Sequence, residues 1–323
     1  MHAPLQRMTL NRFAVLGRVG MDLMADPPGT SIEEARAFTT AIGGSAGNIA
    51  VALARQGAEA ALISCISDDA VGRFCAADLA RYGVDTTQLR PVSGEARNSL
   101  ALTETRATGC QTVLYRNGAA DFALAPEDID RIDFTPFAAL VITGTALARD
   151  PSRSATFAAI ARARASGALT VLDVDWRAYS WPSRQEAAAT CLMAAQACHI
   201  TIGNDDEWGL MAGSDAEGPT LAHHLATQGA LFTIYKRGPL GSTTHTADHS
   251  FDTPIFPVTA LKPTGAGDGF MGGLLAALAQ GAPLETAVQR GAATAAIIVS
   301  GVGCAPASPD RATLDAFLLR HQG

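Results

Sequence analysis

Short apolar runs recur along this chain, and most are followed by a stretch with helical spacing. Runs at 13–17 (FAVLG), 61–67 (ALISCIS), 140–143, 170–174, 200–202 and 232–235 read as strands. Helical patterns occupy 46–56, 70–82, 153–165, 184–197 and 221–227, and Gly57 and Gly83 stand where helix-ending glycines are expected. Continuous apolar strands alternating with helices call for a mostly parallel central sheet with helices on both faces, an α/β fold. The chain closes on small-residue, apolar helices at 269–280 and 283–299 and an amphipathic one at 311–320.

Two stretches break the alternation. Residues 98–105 and 110–116 read as a hairpin turning around 107–109, with no helix of its own. Residues 22–41 begin with the helix-breaking series Asp26-Pro27-Pro28-Gly29. Together they predict a small β-sheet acting as a lid. The expected organisation is one domain over residues 1–323, with the lid contributed by roughly 22–42 and 97–118.

Composition excludes several classes. With 48% hydrophobic and 17% charged residues, the 323-residue chain is not a disordered one. Twenty-four basic against 31 acidic residues leave a net charge of −7, without the basic footprint of a nucleic-acid binder. Gln280, Gln289 and Arg290 interrupt the longest apolar stretches short of the about 18 residues a membrane span needs. Residues 1–11 lack the apolar core of a signal peptide. A cytoplasmic protein with neither nucleic acid nor membrane as partner is expected. The six cysteines (65, 75, 110, 191, 198, 304) include no C-x-x-C pair and read as small buried hydrophobes in a reducing compartment.

Five motifs could carry chemistry. Pro263-Thr264-Gly265-Ala266-Gly267-Asp268 opens an apolar helix after an extended stretch at 252–260. Glycines there can turn successive backbone N–H groups toward one point, and the helix N-terminus favours an anion such as a phosphoryl group. Asp268 at its edge could accept a proton from an attacking hydroxyl; it could equally be an ordinary cap. Gly43-Gly44-Ser45-Ala46-Gly47-Asn48 permits close approach of a ligand, with an amide suited to sugar hydroxyls, or is a plain loop before a helix. Neither a dinucleotide G-x-G-x-x-G after a strand nor a P-loop is present. Gly203-Asn204-Asp205-Asp206-Glu207 follows a strand and could hold a divalent ion, or cap the next helix. Lys236-Arg237-Gly238-Pro239-Leu240-Gly241 could hold polyphosphate, or be a tight turn. Arg116, after Tyr115, and Arg177, after Asp173-Val174-Asp175-Trp176, suit bidentate carboxylate recognition, or are solvated. Four of the five fall where strands end or helices begin, the face where open α/β sheets bind ligands.

On these motifs, in this order and spacing from Gly17 to about Pro306, the chain resembles the ribokinase (phosphofructokinase-B type) family of sugar kinases. The resemblance implies a ribokinase-like fold with a β lid, and transfer of the ATP γ-phosphoryl group to a sugar hydroxyl. It implies that Asp268 is the catalytic base and that Gly265, Ala266 and Gly267 form the anion hole. Asp22, Gly44 and Asn48 match substrate contacts; Gly238 and Gly241, with Lys236 and Asn204, match nucleotide contacts. Asn204 and Glu207 match an N-x-x-E motif organising Mg²⁺, largely through water. Leu114-Tyr115-Arg116-Asn117, Asp173-x-Asp175-x-Arg177 and Trp181 look like kinases of keto-deoxy sugar acids, so Tyr115, Arg116 and Arg177 are expected at the substrate. The primary hydroxyl of 5-dehydro-2-deoxygluconate, an intermediate of inositol breakdown, is the acceptor this resemblance favours. The alternatives are 2-keto-3-deoxygluconate, a neutral sugar or a nucleoside, and, in another class, a catalytically silent sugar-binding protein. Lys262-Pro263 stands where many relatives have Asp-Thr beside a monovalent-cation site, which predicts weak or absent potassium dependence. Leu100 and Leu102 give the hairpin an apolar face, through which a homodimer is expected.

Overall fold

The computed structural model describes residues 3–106, 109–262 and 264–321. Ala107 and Thr108 of the expected hairpin turn, and Pro263 ahead of the glycine run, lie outside them. Among the described residues thirteen strands follow in chain order: β1 (Arg12–Leu16), β2 (Gly20–Asp26), β3 (Ala37–Gly43), β4 (Glu59–Ser67), β5 (Leu89–Val92), β6 (Ser99–Thr103), β7 (Thr112–Tyr115), β8 (Ala139–Thr143), β9 (Leu169–Asp173), β10 (Ile200–Asn204), β11 (Phe232–Lys236), β12 (Ser242–His245) and β13 (Ser250–Thr253). Nine form one sheet in the order β13-β12-β11-β10-β9-β8-β1-β4-β5. It is parallel from β5 to β11, and β12 and β13 add an antiparallel edge.

Strand periodicity divides the core into two layers. Phe13 and Val15 of β1 face Ile49, Leu79 and Leu274 from the helices Ser45–Arg55, Ala70–Arg81 and Ala266–Ala279. Ala14 and Leu16 face the opposite layer, with Ile160, Cys191 and Trp208 from the helices Ser152–Ala165, Arg184–Ala197 and Asp205–Ala212. Side chains alternating along a strand produce both layers from one five-residue run. In the first layer the helix Ala266–Ala279 packs closely across Ser45–Arg55: a Cβ on Gly272 would stand 2.3 Å from the Ala52 Cβ.

The two breaks in the alternation come together as a separate four-stranded sheet, order β3-β2-β6-β7. β2 pairs with β3 antiparallel and with β6 parallel, and β6–β7 is the hairpin read from the sequence. Sequence reading missed β5, β12 and β13. The extended stretch expected over 252–260 is a strand only at its start, since β13 ends at Thr253. All six cysteines are free; Cys110 is half-buried and the rest are buried. Among the described residues, no helix is long and apolar enough to cross a membrane.

Candidate active site

The parallel strands deliver their C-terminal ends to one cavity of about 1140 Å³. Asp22, Gly44, Asn48, Arg177, Asn204, Glu207, Lys236, Gly238, Gly241 and the run Gly265, Ala266, Gly267 and Asp268 all line it. These residues span most of the chain, and the sheet is what brings them together.

The glycine run is built around one backbone conformation. Gly265 has φ 85°, in the left-handed region, and a Cβ there would meet Cys304 Sγ at 2.2 Å. From this turn the helix Ala266–Ala279 starts. The N–H groups of Ala266, Gly267 and Asp268 precede the first helical bond, from Gly269 N to Gly265 O at 3.0 Å. They are therefore free to meet an anion. Lys236, at the end of β11, adds a cation: its Nζ lies 3.3 Å from where a Gly267 Cβ would stand.

Asp268 is half-buried beside these amides, and Asn48 Nδ2 donates to its Oδ2 at 2.8 Å. Burial, reinforced by the negative charge of Asp175, raises its carboxyl to about 7; the Asn48 hydrogen bond and the charges of Arg177 and Lys236 oppose the rise. A cavity-lining carboxylate with this pKa can exchange a proton near neutrality. Asp22 is raised to about 6 by burial, opposed by Arg18 and Lys262. Its carboxylate lies against Gly43, where a Cβ would stand 1.9 Å from Oδ1.

Asn204 and Glu207 form a reciprocal capping box, so the capping alternative read from the sequence holds for the same residues that line the cavity. Asn204 Oδ1 accepts from Glu207 N at 2.9 Å, and Glu207 Oε2 accepts from Asn204 N at 2.8 Å. Glu207 Oε1 accepts from Trp176 N at 3.2 Å. With both carboxylate oxygens engaged by backbone, Glu207 fits a divalent ion through water better than directly. The ion's charge fits: Asp173, Glu207 and Asp268 have carboxyls raised first by burial and further by Asp175, a cluster of like charge that a cation would relieve. Among the described residues, no group of three or more His, Cys, Asp or Glu forms a ready-made metal cage.

Of Tyr115, Arg116 and Arg177, expected at the substrate, only Arg177 lines the cavity. Arg116 does not line the cavity. Its side chain is buried in an ion pair with Asp121, donates to Thr145 O at 3.1 Å and Ser180 Oγ at 3.2 Å, and lies 4.2 Å over the Phe122 ring. Tyr115 is 60% exposed and is not among the residues lining the cavity, although Val113 and Leu114 before it are. Arg177 does line the cavity, paired with Asp175 at 2.8 Å, whose charge raises the guanidinium's proton affinity. Lys262 is 2% exposed, and its Nζ donates to Thr264 O at 2.7 Å and reaches Ile298 O at 3.5 Å. Sequence reading gave no role to Arg18, which lines the cavity and stands four residues before Asp22. It gave none to Asp173 at the end of β9 either, beyond its place in a motif. Their signal was placement: each follows or ends a parallel strand.

A cavity at the strand ends of a parallel sheet, holding a helix start with free N–H groups and a carboxylate titrating near neutrality, suits group transfer, and similarity to known proteins says of which kind. The sequence pattern described as pfkB family carbohydrate kinase matches residues 10–311, and the chain belongs to that family. It is a phosphotransferase acting on a sugar. A 5-dehydro-2-deoxygluconokinase of Photobacterium profundum is 38% identical over 309 residues, 94% of this chain and 93% of that one. Among solved structures, a fructokinase double mutant from Vibrio cholerae O395, in its fructose, ADP and potassium ion bound form, is 26% identical with a TM-score of 0.82, covering 95% of this chain and 98% of that one. A fructokinase with bound ATP from Xylella fastidiosa shares the fold, at 21% identity and a TM-score of 0.84 over 97% of this chain and 99% of that one.

Proposed function

We propose that the protein transfers the γ-phosphoryl group of ATP to the primary hydroxyl of a keto-deoxy sugar acid, 5-dehydro-2-deoxygluconate in inositol breakdown, in the cytoplasm. The observation that carries this reading is Asp268: a carboxylate with a pKa near 7, hydrogen-bonded by Asn48, beside the unpaired amides of one helix start in a cavity wide enough for both substrates. The substrate is the one named for the 38% identical relative.

In this reading Asp268 takes the hydroxyl proton as the oxygen attacks. The amides of Gly265, Ala266, Gly267 and Asp268 receive the charge on the migrating phosphoryl oxygens, with Lys236 beside them. Asp22, Gly44 and Asn48 orient the sugar, Asp22 and Asn48 through its hydroxyls. Gly238 and Gly241 let the nucleotide lie close to the backbone. When Mg²⁺ is bound, Asn204 and Glu207 would hold it through water, and it supplies neutralisation of the polyphosphate charge. Lys262 places an ammonium against two backbone carbonyls, a setting that also suits a monovalent cation, and so makes potassium unnecessary.

The small sheet works as a lid whose closure excludes water and limits ATP hydrolysis. Its outer face carries Leu102 and the pair Leu100 and Tyr115, and supplies the contact for a homodimer. Neither nucleic acid nor membrane is a partner.

An ADP-release assay with 5-dehydro-2-deoxygluconate, 2-keto-3-deoxygluconate, ribose, fructose and adenosine tests the assignment. The highest kcat/KM is expected for the first. A preference for any neutral acceptor refutes the sugar-acid reading, and binding without turnover of any acceptor refutes the reaction.

A further inference from the structure

Arg18, Arg177, Lys236 and Lys262 are the cations lining the cavity among the described residues. Three are committed. Arg177 is ion-paired with Asp175, Lys262 donates to Thr264 O, and Lys236 stands beside the anion-binding amides of the glycine run. Arg18 differs. Its Nη1 donates to the neutral hydroxyl of Ser99 at 2.8 Å, and among the described residues it forms no ion pair. The charge of Asp22 is near enough for each to feel the other, without contact between them. A half-buried guanidinium with only a hydroxyl partner is under-compensated, and an arriving carboxylate would satisfy it.

Its backbone is fixed. The Arg18 carbonyl accepts from Gly47 N at 3.4 Å and lies so close to Gly44 that a Cβ there would stand 2.5 Å from it. The side chain is fixed too, because Ser99 is the first residue of β6 and ties the guanidinium to the small sheet. Arg18 therefore stands within electrostatic reach of Asp22, the residue assigned to the sugar, whereas Lys236 stands at the glycine run. In a six-carbon sugar acid the primary hydroxyl and the carboxylate are at opposite ends of the chain. With the hydroxyl at Asp268, the carboxylate must find its cation near Asp22, and Arg116 is already held by Asp121.

We propose that Arg18 is the residue that receives the substrate carboxylate and selects acids over neutral sugars; this rests on the sugar-acid reading above. The test measures kcat/KM at saturating ATP for 5-dehydro-2-deoxygluconate and for its C1 primary amide, in wild type, Arg18→Met, Arg18→Lys and Arg177→Met. In Arg18→Met the acid-over-amide ratio is expected to fall about 10- to 100-fold, mostly through KM for the acid. Arg18→Lys recovers part of it, a point charge replacing a fork, and so carries the test if the methionine variant does not fold. Arg177→Met moves the ratio less than Arg18→Met. An unchanged ratio, with both substrates losing equally, overturns the assignment and makes Arg18 a support for Asp22. A ratio that collapses in Arg177→Met instead also overturns it. A wild-type enzyme that turns over no sugar acid overturns both this inference and the substrate reading, and is told apart from the other outcomes because the failure precedes any substitution.

Discussion

Replacing Asp268 with Asn keeps the outline of the side chain and its acceptor for Asn48, and removes its capacity to take a proton. If Asp268 is the base, kcat should fall about 10²- to 10⁴-fold, with KM for the sugar acid changed only a few-fold. Wild-type kcat/KM should rise with pH and level off above about 7, where the carboxylate is ionised; the variant should lose this limb. The same shift makes a stability prediction of opposite sign. Burial raises the carboxyl from 3.8 to about 7, so over that window the folded chain holds a proton that the unfolded chain has released. Stability linked to Asp268 therefore declines as pH rises from about 4 through 7, and stays low above it. At about 1.4 kcal/mol per pH unit, the roughly three-unit shift caps the penalty at about 4 kcal/mol. Water reaching the cavity reduces the expected gain for the Asn variant to about 1–2 kcal/mol, or a melting temperature about 2–4 °C higher at pH 8.5. At pH 4 the gain should vanish. ADP release and thermal unfolding at the two pH values read both effects. More than a tenth of wild-type kcat in the variant refutes the base; a stability difference that ignores pH refutes the burial argument.

Asn48→Ala removes a hydrogen bond that lowers the Asp268 pKa, so the acid limb of kcat/KM should move above pH 7; a limb that stays or moves down contradicts the contact. Wild-type rates should be alike in potassium, sodium and tetramethylammonium salts, whereas Lys262→Met, which empties the two-carbonyl cradle, should lose activity and recover part of it with potassium. Strong potassium activation of the wild type would sink the built-in-cation idea. Arg116→Met leaves the Asp121 carboxylate buried and unpaired, and should cost about 3–5 kcal/mol in urea unfolding without acid-selective loss of affinity. A stable variant with a raised KM only for acids would restore Arg116 to the substrate site.

The parallel part of the sheet was readable because β8 and β9 are buried on both faces, which writes a continuous apolar run into the chain. β12 (STTH) and β13 (SFDT) carry no such run, and β5 contains Pro91, so the sheet's margins were not legible. At the site, the glycine turns announced themselves because only glycine serves a position such as Gly265. Arginines do not announce their partners. Asp121 lies five residues after Arg116, and only the turn into the short 3₁₀ helix Ala120–Ala123 brings the two together. Arg18 and Ser99 are 81 positions apart, a proximity that arises when the two breaks in the alternation form one sheet. The N-x-x-E motif was legible as either a cap or an ion site, and the folded chain uses it as a cap that also fronts the cavity.

The contact at Gly272 reaches further than its neighbourhood. Asn48 and Asp268 belong to different helices, and the 2.8 Å bond between them depends on the spacing of those helices. That spacing is set at Gly272 against Ala52, about one turn deeper on each helix. Even a single methyl group at 272 would wedge the helices apart, and Asp268 would lose its partner although neither residue had been altered. The placing of the Asp268 carboxylate is thus written into a position that lies outside the cavity lining and has no side chain at all.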